Sequence, residues 1–160
     1  MRGTIRVAMA TLAATAVVAL TACSDDEPQR DQGGNVTAPA EEADVFSIEV
    51  GDCTGQVEDS TEVTTIDIVP CTDPHDQEAY ASVTVADGEF PGEEALETQA
   101  QTDCTTEFET FVGMAYDGSA LEFTWLQPTE ESWAQNDREI LCLIVDPAGP
   151  ATGTLEGAKR

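Results

Sequence analysis

The sequence predicts an α+β domain in which a mostly antiparallel sheet of about five strands carries one packed α-helix. Several short segments have alternating or continuous apolar residues, as strands do, whereas a single longer segment has apolar residues at spacings of three and four, as helices do. Four cysteines in the same region favour two disulfides that staple the fold. With 160 residues, the chain has room for one modest domain.

The predicted strands differ in how their apolar residues are arranged. Three of them alternate, which is typical of a sheet with one buried face, and the last is continuously apolar, which indicates a central strand buried on both faces. In chain order the five segments are residues 46–50, 63–69, 79–85, 121–125 and 140–145.

One helix is predicted between Pro91 and Gly113. Pro91 suits the first helical turn, Glu93 and Glu94 suit the positive end of the helix dipole, and Gly113 suits the exit. One apolar face then contains Leu96, Ala100, Cys104, Phe108 and Phe111.

Cys53, Cys71, Cys104 and Cys142 permit three pairings. We favour Cys53 with Cys71, which brackets a predicted hairpin, and Cys104 with Cys142, which ties the helix to the last strand. Each bridge is expected to stabilise the fold by about 3 to 4 kcal/mol.

The first 22 residues have the order of a bacterial secretory signal. Arg2 and Arg6 precede an apolar run over residues 7–20, which is shorter than the roughly 20 residues that a membrane-spanning helix needs. The run ends at Thr21-Ala22-Cys23, a lipobox in which Cys23 is the acceptor for diacylglycerol and palmitate. We therefore predict a signal peptide over residues 1–22 and a lipid anchor at Cys23.

Residues 23–45 are expected to form a disordered tether, because they contain almost no large apolar side chain. The folded domain is then expected to span residues 46–158. An exported domain of this kind lies in an oxidising compartment, which favours the two disulfides.

The charge of the chain is extreme. All 32 acidic residues follow residue 22, and only Arg30, Arg138, Lys159 and Arg160 remain basic there, which leaves a net charge of −28. Such a field repels nucleic acid and anionic lipid, so the membrane contact is assigned to the lipid on Cys23 alone. Basic partners and cations are compatible with it.

A first candidate site surrounds the only histidine. Asp73, His75, Asp76 and Glu78 are able to supply ligands to a divalent cation, or His75 can act as a base oriented by a carboxylate. No second histidine or free nucleophile accompanies them, so we prefer a structural interpretation: a proline-fixed turn in which His75 and Asp73 satisfy backbone groups.

A second candidate site contains Trp133, Asp137 and Arg138. Arg138 is able to bind a ligand carboxylate, but among so many acidic residues we expect it to pair with Asp137 or Glu139 at the start of the last strand.

The order and spacing of these motifs resemble the actinobacterial septum formation family, here carried on a lipoprotein precursor. The resemblance runs from about Val50 to Ala158 and implies an extracytoplasmic domain with no established catalytic mechanism. Asn136 stands where the family pattern usually has glycine, and asparagine tolerates the positive φ angle that glycine would adopt. The motifs that carry the resemblance are Val50-Gly51-Asp52-Cys53, Val69-Pro70-Cys71, Pro74-His75-Asp76, Phe90-Pro91-Gly92, Cys104, Pro128, Trp133, Asp137-Arg138 and Cys142.

We therefore expect a non-enzymatic lipoprotein on the outer face of the cytoplasmic membrane, with no cofactor or metal, that binds another envelope or division protein. A cation- or small-ligand-binding domain is the alternative. A hydrolase that uses His75 with Asp73 or Asp76 is less favoured.

Overall fold

The computed structural model describes residues 27–57 and 63–160. The predicted signal peptide and Cys23 lie outside the described residues. Along the described chain, the strands and helices are β1 (Gln29–Arg30), β2 (Val36–Ala38), β3 (Ala40–Asp44), β4 (Cys53–Thr54), β5 (Thr65–Val69), β6 (Gln77–Thr84), α1 (Glu93–Val112), β7 (Glu122–Leu126), α2 (Glu130–Ala134) and β8 (Glu139–Val145).

Six of the strands form one sheet in the order β3-β5-β4-β6-β8-β7, and every neighbouring pair is antiparallel. β1 and β2 form a separate two-stranded sheet. The predicted α+β class is confirmed, with six strands in the main sheet where about five were expected.

β8 is the strand on which both hydrophobic clusters of the described chain depend. Its residues 140–144 are all buried, as the continuous apolar run predicts. Ile140, Cys142 and Ile144 belong to the cluster under α1, whereas Leu141 and Leu143 belong to a second cluster on the opposite face. Successive side chains of a strand point to opposite faces, so one strand contributes to both clusters.

The predicted long helix is α1. It buries Leu96, Ala100, Cys104, Phe108 and Val112 against the sheet and ends at Gly113, whose φ of 79° is left-handed as the exit requires. The start was predicted incorrectly: Pro91 precedes the helix, which begins at Glu93 after Gly92.

Both favoured disulfides are confirmed. Cys53 bonds to Cys71 with a Cα–Cα distance of 5.1 Å, and Cys104 bonds to Cys142 with a Cα–Cα distance of 5.6 Å. The second bridge joins α1 to β8 and therefore links the helix covalently to the centre of the first cluster.

The strand predicted over residues 46–50 does not form. The backbone makes a 3-10 turn at Val45–Ser47, and Phe46 and Val50 are 67% and 53% exposed. The Asp44 carboxylate accepts a hydrogen bond from the Phe46 amide, and the Ser47 hydroxyl donates to the Asp44 carbonyl. These local hydrogen bonds compete with an extended backbone, so the alternating pattern does not produce a strand here.

The predicted disordered tether is wrong for residues 29–44, which form β1, β2 and β3. β3 pairs with β5, and its Ala40 and Ala43 are buried. Backbone hydrogen bonds to β5 hold β3 in place, so the strand forms although its buried side chains are small. The folded region therefore begins well before residue 46.

An ion pair fastens this N-terminal region to the domain. The Arg30 guanidinium donates to both carboxylate oxygens of Asp52, at 2.5 and 2.7 Å, and also to the Ser47 carbonyl. The Asp52 side chain is 3% exposed. The hydrogen bond that Arg30 donates to the Asp52 carboxylate raises the pKa of Arg30 above its ordinary value.

A second helix, α2, was not predicted, because five residues are too few to show a helical period. Thr129 and Ser132 form a reciprocal capping box at its N-terminus. α2 buries Trp133, so the described residues form one long and one short α-helix in place of the single packed helix expected.

Loss of the Arg30–Asp52 pair should destabilise the fold strongly. We expect Arg30→Met to lower the free energy of unfolding by about 3 kcal/mol, because it leaves the buried Asp52 carboxylate without its cation. The matched control is Arg160→Met, which removes the pair with Asp146 in which the Arg160 side chain is 47% exposed and the Asp146 side chain 11% exposed, and it should cost less than about 1 kcal/mol. Urea denaturation of the two variants measures both values, and equal losses would contradict the proposed importance of residue 30.

Stability at alkaline pH should depend on Tyr80. Its hydroxyl is buried and donates to the Cys104 carbonyl at 2.8 Å, and burial raises the pKa of Tyr80 well above its ordinary 10.0. Tyr80 ionises at lower pH in the unfolded chain than in the folded chain. The stability that its neutral hydroxyl contributes is therefore complete below pH 10 and is lost as the pH rises beyond it. In Tyr80→Phe, the free energy of unfolding should fall less steeply with pH in this range, by up to about 1 kcal/mol per pH unit. Denaturation at a series of alkaline pH values tests this, and an unchanged slope would refute it.

Candidate functional site

The His75 turn is buried, and its imidazole contacts the backbone. His75 is 2% exposed, and its Nδ1 donates to the Asp73 carbonyl at 2.9 Å. The backbone of His75 also pairs in both directions with Ala151. The Asp73 and Asp76 residues are exposed, and no hydrogen bond joins either carboxylate to the imidazole within the described ranges. The His75 imidazole thus satisfies a backbone group as predicted, whereas Asp73 takes part in this contact through its backbone carbonyl and not its carboxylate.

Glu78 is the acidic residue that lies buried near His75. It is 2% exposed, and its carboxylate accepts hydrogen bonds from the Thr154 hydroxyl at 2.5 Å and the Leu155 amide at 2.7 Å. A His75 imidazole nitrogen, a Glu78 carboxylate oxygen and the Cys53 sulfur all lie within 4.8 Å of one another. In the disulfide form, Cys53 has no thiolate to offer a metal.

Trp133 and Arg138 connect α2 to the turn after β6. The Arg138 guanidinium lies 3.7 Å from the centre of the Trp133 ring, and its Nε donates to the Asp87 carboxylate at 3.2 Å. The Trp133 indole donates to the Gly88 carbonyl at 3.1 Å. This stacked cation joins two segments that are far apart in sequence.

The expected pairing of Arg138 with the carboxylate of Asp137 or Glu139 is wrong. The Asp137 carboxylate accepts from the Ser132 hydroxyl and the Glu139 amide, and only its carbonyl contacts Arg138. The physical reason is that the Asp137 carboxylate already accepts hydrogen bonds from α2 and from the start of β8. The Arg138 guanidinium therefore pairs with Asp87 instead. Asn136 has a φ of 78°, as the glycine-like position requires.

The two predicted clusters lie beyond opposite ends of β6. His75 precedes this strand and Asp87 follows it, and its eight residues span about 26 Å. The structure therefore does not bring His75 together with Arg138.

A large groove lies on the sheet face opposite α1. It has a volume of about 1100 Å³, with β7 and β8 on its floor, the Val45–Ser47 turn at one wall and α2 at another. Glu122, Thr124 and Leu126 of β7 pair with residues of β8 that share this face. We call this feature the acidic groove.

The acidic groove combines apolar surface with uncompensated negative charge. Its apolar lining includes the exposed Phe46 and the half-buried Leu126. No Lys, Arg or His residue is among the described residues that line it. The carboxylates that line it belong to Asp44, Glu122, Glu131, Asp137 and Glu139.

β7 also presents an unpaired strand edge beside the groove. It pairs with β8 on one side, and no other strand in the described part of the chain pairs with its outer side. An edge strand of this kind exposes backbone donors and acceptors to which an extended chain can add.

Of the seven residues singled out in the two clusters, only Asp137 lines the groove. The groove was missed because its residues come from segments that are distant in sequence. One signal was present: Glu122, Thr124 and Leu126 alternate with the apolar residues assigned to the core, and so share the opposite face of β7.

Among the described residues, no helix is long and apolar enough to cross a membrane. No curated protein and no solved structure matches the chain. A family model described as "Septum formation" matches residues 19–142, which is most of the chain. The match agrees with the motif resemblance and begins earlier along the chain than that resemblance. The chain therefore belongs to the septum formation family, and its role is related to cell division.

Proposed function

We propose that the protein is a non-catalytic lipoprotein, anchored by Cys23 to the outer face of the cytoplasmic membrane, that binds a cationic segment of another envelope or division protein. The acidic groove is the observation that carries this proposal. Five carboxylates with no basic residue among the described lining residues favour a positively charged partner.

The form of the groove suits an extended polypeptide. Apolar side chains on the groove floor can bury alternate residues of such a segment, while the free edge of β7 supplies backbone hydrogen bonds. Lys or Arg side chains of the segment can then reach the carboxylates at the rim, such as Glu122 and Glu139. Both residues are exposed, so their charges also increase the rate of encounter with a cationic partner.

The charge of the whole chain supports the anchor as the membrane contact. Three of the four basic residues after residue 22 already pair with aspartates: Arg30 with Asp52, Arg138 with Asp87 and Arg160 with Asp146. A surface of this kind has little attraction for anionic headgroups, so we assign membrane binding to the lipid.

A binding role accounts for the candidate residues better than hydrolysis does. The His75 imidazole is directed to a backbone carbonyl, and Arg138 is held by Trp133 and Asp87 about one strand length away. A base, its orienting carboxylate and an electrophile would need to converge on one substrate.

The anchor is tested by Cys23→Ala in the producing bacterium. We expect the variant to leave the membrane fraction and to lose metabolic labelling with palmitate, because no other membrane contact is proposed. The wild-type chain is the control in the same fractionation. Undiminished membrane association of Cys23→Ala would show that another part of the chain binds the membrane.

The groove is tested by site-specific photocrosslinking in living cells. A photoreactive residue at Thr124, in the groove, should crosslink a discrete partner, whereas one at Thr102, on the exposed side of α1, should not. Mass spectrometry of the product should identify a basic segment at the crosslink. The same product from both positions would contradict binding in the groove.

Charge reversal in the groove should weaken that crosslink. We expect Glu122→Lys with Glu139→Lys to reduce its yield at least about tenfold, since two attractive carboxylates become repulsive cations. Glu97→Lys with Glu109→Lys on α1 changes the net charge by the same amount away from the groove and should leave the yield within about twofold. An equal loss from both double variants would assign the effect to net charge and not to the groove.

A further inference from the structure

The two disulfides differ in how accessible their sulfur atoms are. Cys104 and Cys142 are both fully buried between α1 and β8. In the other bridge Cys53 is fully buried, but Cys71 lies in the turn after Pro70 and is partly exposed. A thiol reductant can therefore reach the sulfur of Cys71, and Cys53 is then the leaving group.

Two buried polar side chains, His75 and Glu78, lie close to Cys53, and each lacks an expected partner among the described residues. The Nε2 atom of His75 is buried and has no hydrogen-bond partner within residues 27–57 and 63–160. The buried Glu78 carboxylate forms no salt bridge in the same ranges and is held by the neutral donors of Thr154 and Leu155. A bound cation would satisfy both this buried imidazole nitrogen and the nearby buried carboxylate.

We propose that reduction of the Cys53–Cys71 bridge creates a zinc site whose ligands are the Cys53 thiolate, the His75 imidazole and the Glu78 carboxylate. The three ligand atoms already lie within 4.8 Å of one another. Zinc bonds of about 2.0 to 2.3 Å place tetrahedral ligands roughly 3.5 Å apart, so the site closes with small side-chain movements. The inference does not rest on the proposed binding of a cationic segment.

The redox step balances with a dithiol as the reductant. One thiolate attacks Cys71 Sγ, the Cys53–Cys71 bond breaks, and Cys53 leaves with the electron pair and takes up a proton. The second thiol of the reductant then displaces Cys71, which leaves the dithiol oxidised to a disulfide and both cysteines reduced. Zn²⁺ displaces the Cys53 proton to solvent when it binds.

The C-terminal segment covers the site. Ala151 pairs with the His75 backbone, and Thr154 and Leu155 bind the Glu78 carboxylate. Local opening of this segment admits the ion. The three protein ligands leave the fourth zinc position for water or the Cys71 thiol. Mixed sulfur, nitrogen and oxygen ligands of this set favour Zn²⁺ over Mg²⁺ or Ca²⁺.

The test uses two full-length variants in a Cys23→Ser background, with the Cys104–Cys142 bridge left intact. Cys71→Ser leaves a free Cys53 thiol beside His75 and Glu78, whereas the matched control Cys53→Ser leaves a free thiol at Cys71. Titration calorimetry with Zn²⁺ should show one equivalent bound to Cys71→Ser at least about 100-fold more tightly than to Cys53→Ser. Co²⁺ should give a sulfur-to-metal charge-transfer band only with Cys71→Ser.

His75→Gln and Glu78→Gln, each added to Cys71→Ser, should weaken zinc binding at least about tenfold, which a thiol acting alone would not explain. Equal affinities in Cys71→Ser and Cys53→Ser, or no loss with His75→Gln, would overturn the proposal and leave His75 and Glu78 as a structural pair that holds the C-terminal segment.

Near-ultraviolet circular dichroism reports whether Cys71→Ser folds. If it does not, native mass spectrometry of the Cys23→Ser chain after graded phosphine reduction makes the same distinction. Zinc should appear only on molecules in which alkylation mapping finds Cys53 and Cys71 reduced and Cys104–Cys142 intact. Zinc on fully oxidised molecules, or on none, would refute the site.

Discussion

The placement of β8 between β6 and β7 is the constraint on which the rest of the fold depends. Its even-numbered residues pack under α1, and its odd-numbered residues form the opposite cluster, so neither hydrophobic cluster is complete without it. The Cys104–Cys142 bridge then holds α1 to this strand. The same alternation places Glu139 and Leu141 on the groove side, so the position of the acidic groove is a direct consequence of the core packing.

Negative charge is distributed so that the few cations serve the fold. Arg30 holds the N-terminal strands to the domain, and Arg138 holds α2 to the turn after β6. Arg160 is paired with Asp146 near the end of the chain. These cations are used internally, and no basic residue among the described lining of the groove competes with an external cation for its carboxylates.

The two unusual polar features of the domain differ in their accessibility. The acidic groove is open and wide, which suits recognition of another chain. The Cys53, His75 and Glu78 cluster is closed, small and covered by the C-terminal segment, which suits a change of redox state better than continuous exchange of a ligand. The two features involve different residues, so the proposed binding surface and the proposed redox-dependent metal site are compatible within one small domain.

Local patterns in the sequence determined much of the fold. The four-residue spacing from Leu96 to Phe108 predicted α1, the continuous apolar run predicted β8, and the inward direction of Cys104 supported the correct disulfide partner. Each of these inferences rests on periodicity within one element. Such periodicity follows from backbone geometry and does not depend on distant residues.

Only the tertiary structure decided how distant segments meet. Arg30 finds Asp52 across 22 residues, and Arg138 finds Asp87 across 51, in preference to the carboxylates beside it in sequence. β3 is held by its pairing with β5, although its own composition resembles a disordered segment. Glu122 and Glu139 line the same acidic groove, toward opposite ends of the β7–β8 pair, because two antiparallel strands place them on one face. The charge of the sequence was therefore compatible with basic partners and cations without naming one, whereas strand pairing decided where the acidic groove forms.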